Sequence, residues 1–123
     1  MKAGLCRFCG CSERDACLVD DEPCTWTDQT LTVCTACAPA AAAEAQLLAA
    51  RARGGWRPGL RVAFHRGFVV GWFSVRARNP YVPTVAGRGH VWSAGKYAGQ
   101  VARQIHVAHY GPIPNRRHEG IPA

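Results

Sequence analysis

All seven cysteines of the chain fall within its first 37 residues, at positions 6, 9, 11, 17, 24, 34 and 37. A segment of about 40 residues rarely builds a core large enough to fold alone, so a metal or disulfides must supply the missing stability. The cysteine count is odd, and no apolar run of signal-peptide length opens the chain; Arg7, Glu13, Arg14 and Asp15 interrupt it. Two Cys-x-x-Cys pairs in that setting favour metal thiolates in a reducing cytoplasm over disulfides. No stretch approaches the length of a membrane-spanning helix, so no membrane partner is expected.

The first pair lies in CRFCGC at 6–11 and the second in CTAC at 34–37. Cys6-x-x-Cys9 followed by Gly10 reads as a tight knuckle. Its backbone N–H groups point at the thiolates, and glycine relieves the crowding. The second pair stands directly before a helix expected over 39–53, which places Cys37 at the helix start. Free N–H groups and the positive end of the helix dipole favour a thiolate there. Cys6, Cys9, Cys34 and Cys37 are the expected ligands of a tetrahedral Zn²⁺, closed to substrate and therefore structural. Cys11, Cys17 and Cys24 remain. They can bind a second metal, either with a carboxylate such as Asp15 or Asp20 or by sharing a bridging thiolate. They can hold an iron–sulfur cluster, or they can be buried free thiols. Their spacing favours the second metal, so the expected cofactor is one zinc ion or two, ahead of an iron–sulfur cluster.

Knuckle, intervening hairpin, then a helix that carries the last ligands: this order resembles the treble-clef zinc fingers. The residues CRFCGCSERDAC at 6–17, CTW at 24–26 and LTVCTAC at 31–37 also resemble a cysteine-rich module of phage and prophage proteins of uncharacterised function. That resemblance covers about the first third of the chain. It implies a mobile-element origin and metal binding, with no activity attached.

Charge divides the chain unevenly. Residues 1–38 carry a net charge of −3, and residues 39–123 carry +10, making up the overall +7. The expected organisation is a cysteine-rich metal-binding module at 1–38, a basic part at 39–110 and a flexible tail at 111–123. PAAAAEAQLLAARAR at 39–53 has strong helix formers, a proline in its first turn and Gly54-Gly55 to stop it. LRVAF at 60–64 alternates like a half-buried strand, and FVVGWFSV at 68–75 is apolar on both faces. YVPTV at 81–85 and HVW at 90–92 complete four expected strands. A second helix is expected over 94–110, capped by Ser93. The fold class is thus α+β: an N-terminal four-cysteine finger joined by a helix to a small antiparallel sheet with a C-terminal helix. The order of helix, strands and helix is shared with double-stranded-RNA-binding domains, whose final helix starts in a motif to which SAGKYA at 93–98 is similar. Three strands and a helix also resemble integrase-type DNA-binding domains.

The basic part suggests a partner. Arg57, Arg61, Arg66, Arg76, Arg78, Arg88, Lys96 and Arg103 are spread through it, with Trp56, Trp72, Tyr81 and Trp92 between them. Arginine can clamp phosphates and aromatic rings can stack on bases. After residue 38 only Glu44 and Glu119 are acidic, and the histidines are scattered, so no catalytic constellation is found and an enzyme is not expected. The sequence reads as a small zinc-binding protein of phage or mobile-element type that binds nucleic acid without catalysis. The alternative is an inhibitor or adaptor that binds a host protein or ribonucleoprotein, such as a CRISPR effector of host defence.

Overall fold

The computed structural model describes residues 4–19, 22–51, 55–81 and 87–111. Extended pairing among these residues is confined to two short strands and two isolated bridges. Strand β1 (Leu18–Val19) pairs antiparallel with β2 (Glu22–Pro23), Leu18 opposite Pro23. The bridges join Ser12 to Asp15 and Trp26 to Cys34. Beyond the finger the described chain is helical: α1 (Ala38–Arg51), α2 (Pro58–Phe73) and α3 (Arg88–Tyr110).

The expected antiparallel sheet is therefore incorrect. LRVAF, FVVGWF and HVW are all helical, and α3 begins at Arg88 rather than at 94. The expected strand at 81–85 lies almost wholly outside the described residues, as do Arg53, Gly54 and positions 112–123 of the tail. The error has a physical source. A helix buried on most of its circumference is apolar all round, and over a few residues that pattern cannot be told from a buried strand. What decides for helix is glycine spacing and the ends. Pro58 occupies the first turn, where its missing N–H costs nothing. Ser74, at φ 55°, closes the C-terminus, where Val75 N–H donates to the Val70 carbonyl, a Schellman-type stop.

Gly67 and Gly71 on α2, and Gly95 and Gly99 on α3, bring the two backbones into contact. A methyl on Gly67 would lie 2.0 Å from the Trp92 carbonyl oxygen, and one on Gly71 2.0 Å from that of Lys96. Methyls on Gly95 and Gly99 would each lie 2.3 Å from a carbonyl oxygen, of Phe64 and Phe68 respectively. Residue numbers rise together along both helices, so α2 and α3 run in the same direction. Residues 74–80 return alongside: Asn79 Nδ2 donates to the Gly89 carbonyl at 2.8 Å, and Arg103 donates to Ser74 Oγ. Small residues four apart allow this close approach, the geometry of small-xxx-small helix pairs.

The core is continuous from finger to helices. Phe8 sits edge-on to Phe68, with ring centroids 6.4 Å apart. Phe64, Phe68 and Trp72 form a ladder down α2, and the cysteines, Ala40 and Ala98 belong to the same buried cluster. Leu47 and Leu48 of α1 pack against it, half-buried. Glu44, only 1% exposed, stands in this interior. Arg7 Nη1 donates to Glu44 Oε1 at 3.0 Å, and His65 Nδ1 lies 2.7 Å from Oε2. His65 Nε2 faces the Arg7 carbonyl at 2.7 Å. Both ring nitrogens thus lie within hydrogen-bond distance of an oxygen, and Arg7 Nη1 stands 3.3 Å from Nδ1 as well. One carboxylate ties the finger, α1 and α2 together.

Candidate metal centre

The finger has little regular structure, so its shape comes from turns that aim sulfur inward. Gly10, at φ 77°, closes the first knuckle in the left-handed region that glycine enters without strain. Gly10 N–H donates to the Cys6 carbonyl at 2.9 Å, and Cys6 N–H to the Cys11 carbonyl at 2.9 Å. Next to the β1–β2 pairing, Cys24 N–H donates to the Cys17 carbonyl at 2.7 Å. Thr35 locks the segment before Trp26 to the last pair: its N–H donates to the Thr25 carbonyl, and its Oγ1 accepts from Thr25 N–H. Thr35–Cys37 form a 3-10 turn that runs directly into α1, so Cys37 does stand at the helix start.

All seven cysteines are free thiols, and six of them are buried, Cys24 being half-buried. Two sets of four bring their Sγ atoms within 4.8 Å of one another: Cys6, Cys9, Cys11 and Cys34, and Cys11, Cys17, Cys24 and Cys34. Each set could hold a metal ion. The individual separations fit that role. Cys9 and Cys17 lie 3.4 Å apart, and Cys9–Cys34 and Cys11–Cys24 each 3.7 Å. A disulfide would need about 2.05 Å, whereas four sulfurs at about 2.3 Å from a tetrahedral ion stand about 3.8 Å from each other. Cys34 N–H also donates to Cys6 Sγ at 3.4 Å, as expected at a thiolate knuckle.

Of the four ligands expected from the sequence, Cys6, Cys9 and Cys34 fall in one set together with Cys11. Cys37 lies outside both sets, yet it is buried and interacts with Cys34, Cys6 and Cys9. Cys11, Cys17 and Cys24 come together with Cys34 rather than with Asp15.

Crowded thiols cannot share several negative charges without a cation, and the titration of the cluster follows from this. Contacts with Cys17, Cys37, Cys6 and Cys9 hold Cys34 far below the ordinary thiol range, against the effect of burial. Cys9 is pushed up by its contacts with Cys17, Cys34, Cys37 and Cys6 and by burial. Cys37 is raised chiefly by Cys34. Burial is the main cause raising Cys11 and Cys24, and Cys34 the main cause raising Cys17, to about 11. Cys6 comes down to about 6: Cys34 opposes this most strongly, but Cys37 and Cys9 outweigh it. A divalent cation is what would let the whole set ionise.

The basic residues lie away from this centre. Arg57 precedes α2, Arg61 and Arg66 lie on it, Arg76 and Arg78 follow it, and Arg88, Lys96 and Arg103 lie along α3. Residues 55–111 contain eight Lys and Arg and no Asp or Glu. None of the eight forms an ion pair among the described residues. The interleaved aromatics are mostly structural: Trp72 and Trp92 are buried and Trp56 is half-buried against Phe64. Sequence reasoning missed the Arg7–Glu44–His65 cluster. Its one signal was a lone acid in an alanine-rich helix that had no obvious solvent face.

No helix is long and apolar enough to cross a membrane among the described residues. Comparison with protein-family models, curated proteins and solved structures gives no match.

Proposed function

We propose that this is a small zinc-stapled protein, of the mobile-element type its cysteine pattern resembles, that binds nucleic acid without catalysing a reaction on it. The observation that carries this reading is the uncompensated charge of residues 55–111: eight cations, no acid in the stretch, and no ion pair to any of them among the described residues. Evenly soluble surfaces mix both signs, and a one-signed surface draws an anionic partner. Because Trp72 and Trp92 belong to the core, few rings remain to stack on bases. Recognition then rests on phosphates and is largely independent of sequence. Zinc's part is structural: four thiolates complete a tetrahedral ion and leave no position for substrate.

A second reading has its own observation. A groove of about 450 Å³ between α1 and α3 is lined by Leu47, Tyr97, Ile105 and Tyr110, and Tyr97 and Tyr110 are 67% and 80% exposed. Exposed aromatics beside a groove suit a protein partner, such as a host defence complex. Titration with duplex DNA, single-stranded DNA and RNA at 50 and 200 mM salt separates the two. With six to ten phosphate contacts, affinity should fall by roughly 10³–10⁵-fold between those salts. No binding at the lower salt would exclude the nucleic-acid reading and leave the groove.

A further inference from the structure

We infer that the seven cysteines form one binuclear centre, in which the Cys34 thiolate bridges two tetrahedral metal ions. This rests on the reading of the cluster as a metal site and specifies how it is filled. Two tetrahedral ions need eight ligand positions. Seven thiolates supply eight when one of them is shared, which accounts for the odd cysteine count. Geometry picks out the shared one. Cys11 and Cys34 are both common to the two four-sulfur sets, and of the two it is Cys34 that also meets Cys37. It lies 3.7 Å from Cys9 and interacts with Cys6, Cys17 and Cys37 as well, so it reaches cysteines of both halves.

The remaining six divide by position. Cys11, Cys17 and Cys24 complete a set of four only with Cys34, so the ion on that side takes all three. Cys6 and Cys9 then pair with Cys34 around the other ion. Cys37, buried beside those three at the start of α1, supplies its fourth ligand. Were Cys11 a second bridge instead, six thiolates would suffice, and Cys37 would remain a buried thiol with no ligand role.

The two ions should not be equally held. Cys24 is half-buried, and a cavity of about 270 Å³ lined by Cys11, Cys24, Trp26 and Cys34 opens beside it. The other ion is enclosed by cysteines that are all buried. A chelator should therefore withdraw the ion on the Cys17–Cys24 side first.

The test uses the reduced full-length chain loaded with zinc, or with cadmium-113. Native mass spectrometry should count two ions per chain at saturation. In the cadmium form two ¹¹³Cd resonances are expected, with the β protons of Cys34 coupled to both and those of every other cysteine to one. Chelator competition should release metal in two phases of equal amplitude. Cys24→Ser should hold one ion and stay folded. No bound metal would defeat the metal reading itself. One ion at saturation, or two ions with no shared cysteine, would overturn the binuclear centre alone. A Cys37→Ser variant that keeps both resonances unshifted would overturn the single-bridge assignment.

Discussion

The finger and the helical pair solve the same problem by opposite means. The described residues between 4 and 37 have almost no regular hydrogen-bonded structure, only four of them in strands and one 3-10 turn. Their order comes from side chains that converge on a point. Helices α2 and α3 hold no cysteine. Their order comes from backbones that touch because four side chains have been removed. One region is specified by the residues that are present at the contact, the other by the absence of a Cβ. A four-residue glycine spacing can therefore be as informative as a cysteine spacing, although only the latter is commonly read as a signature.

The largest effect expected is loss of metal. Structural zinc contributes roughly 10 kcal/mol or more to folding a small thiolate module. Chelation of the reduced chain should unfold residues 4–37. Phe8 and the cysteines share a core with Phe64, Phe68 and Trp72, so the helices should melt at a lower temperature as well. Circular dichroism with and without chelator measures both. An unchanged helical melting temperature would show that the two regions are independent.

The converse experiment starts from the helices. Gly67→Ala or Gly71→Ala puts a methyl 2.0 Å from a backbone oxygen, and neither backbone can turn aside as a side chain would. Each should cost about 3 kcal/mol, the upper end of ordinary overpacking. The amount of metal the protein takes up should be unchanged, because no cysteine lies on α2 or α3. A stable Gly67→Ala protein would mean that the close approach of the helices is not what holds them.

These contrasts also mark what was legible in the sequence. The finger could be read because thiolate chemistry demands particular residues at short spacings, and CxxC states it directly. Helix α1 could be read from its alanines and its proline start. Helix α2 could not, because FVVGWF is apolar all round and β-branched residues bias such a run toward strand. Gly67 and Gly71 carry no helical signal when taken one at a time; their meaning depends on Gly95 and Gly99 across the interface. On α3 the large side chains Tyr97 and Ile105 are exposed. The contact instead runs along Trp92, Gly95 and Gly99, a stripe with too little side chain to register as hydrophobic. Glu44 was unreadable for a related reason: its partners Arg7 and His65 lie 37 and 21 residues away.

That carboxylate is the joint between the two regions, and its removal should have an intermediate effect. Burial opposes ionisation of Glu44, but His65 and then Arg7 outweigh it and hold the carboxyl below its ordinary 4.5. Arg7 is partly exposed, which moderates the value of the pair. Glu44→Gln should cost about 2 kcal/mol. A depressed folded pKa gives stability that is fully present above the unfolded value and is lost as pH falls through the folded one. The difference in urea midpoint between wild type and Glu44→Gln should therefore hold steady above pH 4.5 and shrink below it. Comparing the two proteins at each pH cancels the effect of acid on the metal, which they share. A difference that grows on acidification would contradict the assigned charge.

The smallest effect expected tests the comparison most directly, with one substitution made in both regions. Gly10→Ala meets nothing within 4 Å of its new methyl, but the residue must hold φ at 77°. Gly67→Ala sits in a helix, where alanine is the favoured residue, and fails only for want of space. The cost at Gly10 is conformational, roughly 1–2 kcal/mol. Asparagine enters the left-handed region more readily than alanine, so Gly10→Asn should recover part of that loss. At Gly67 the larger asparagine should be worse than alanine. The order of the two variants should thus reverse between the sites in thermal melts of the zinc-loaded protein. If alanine outranks asparagine at both positions, steric space limits the knuckle as well, and the two regions are built alike.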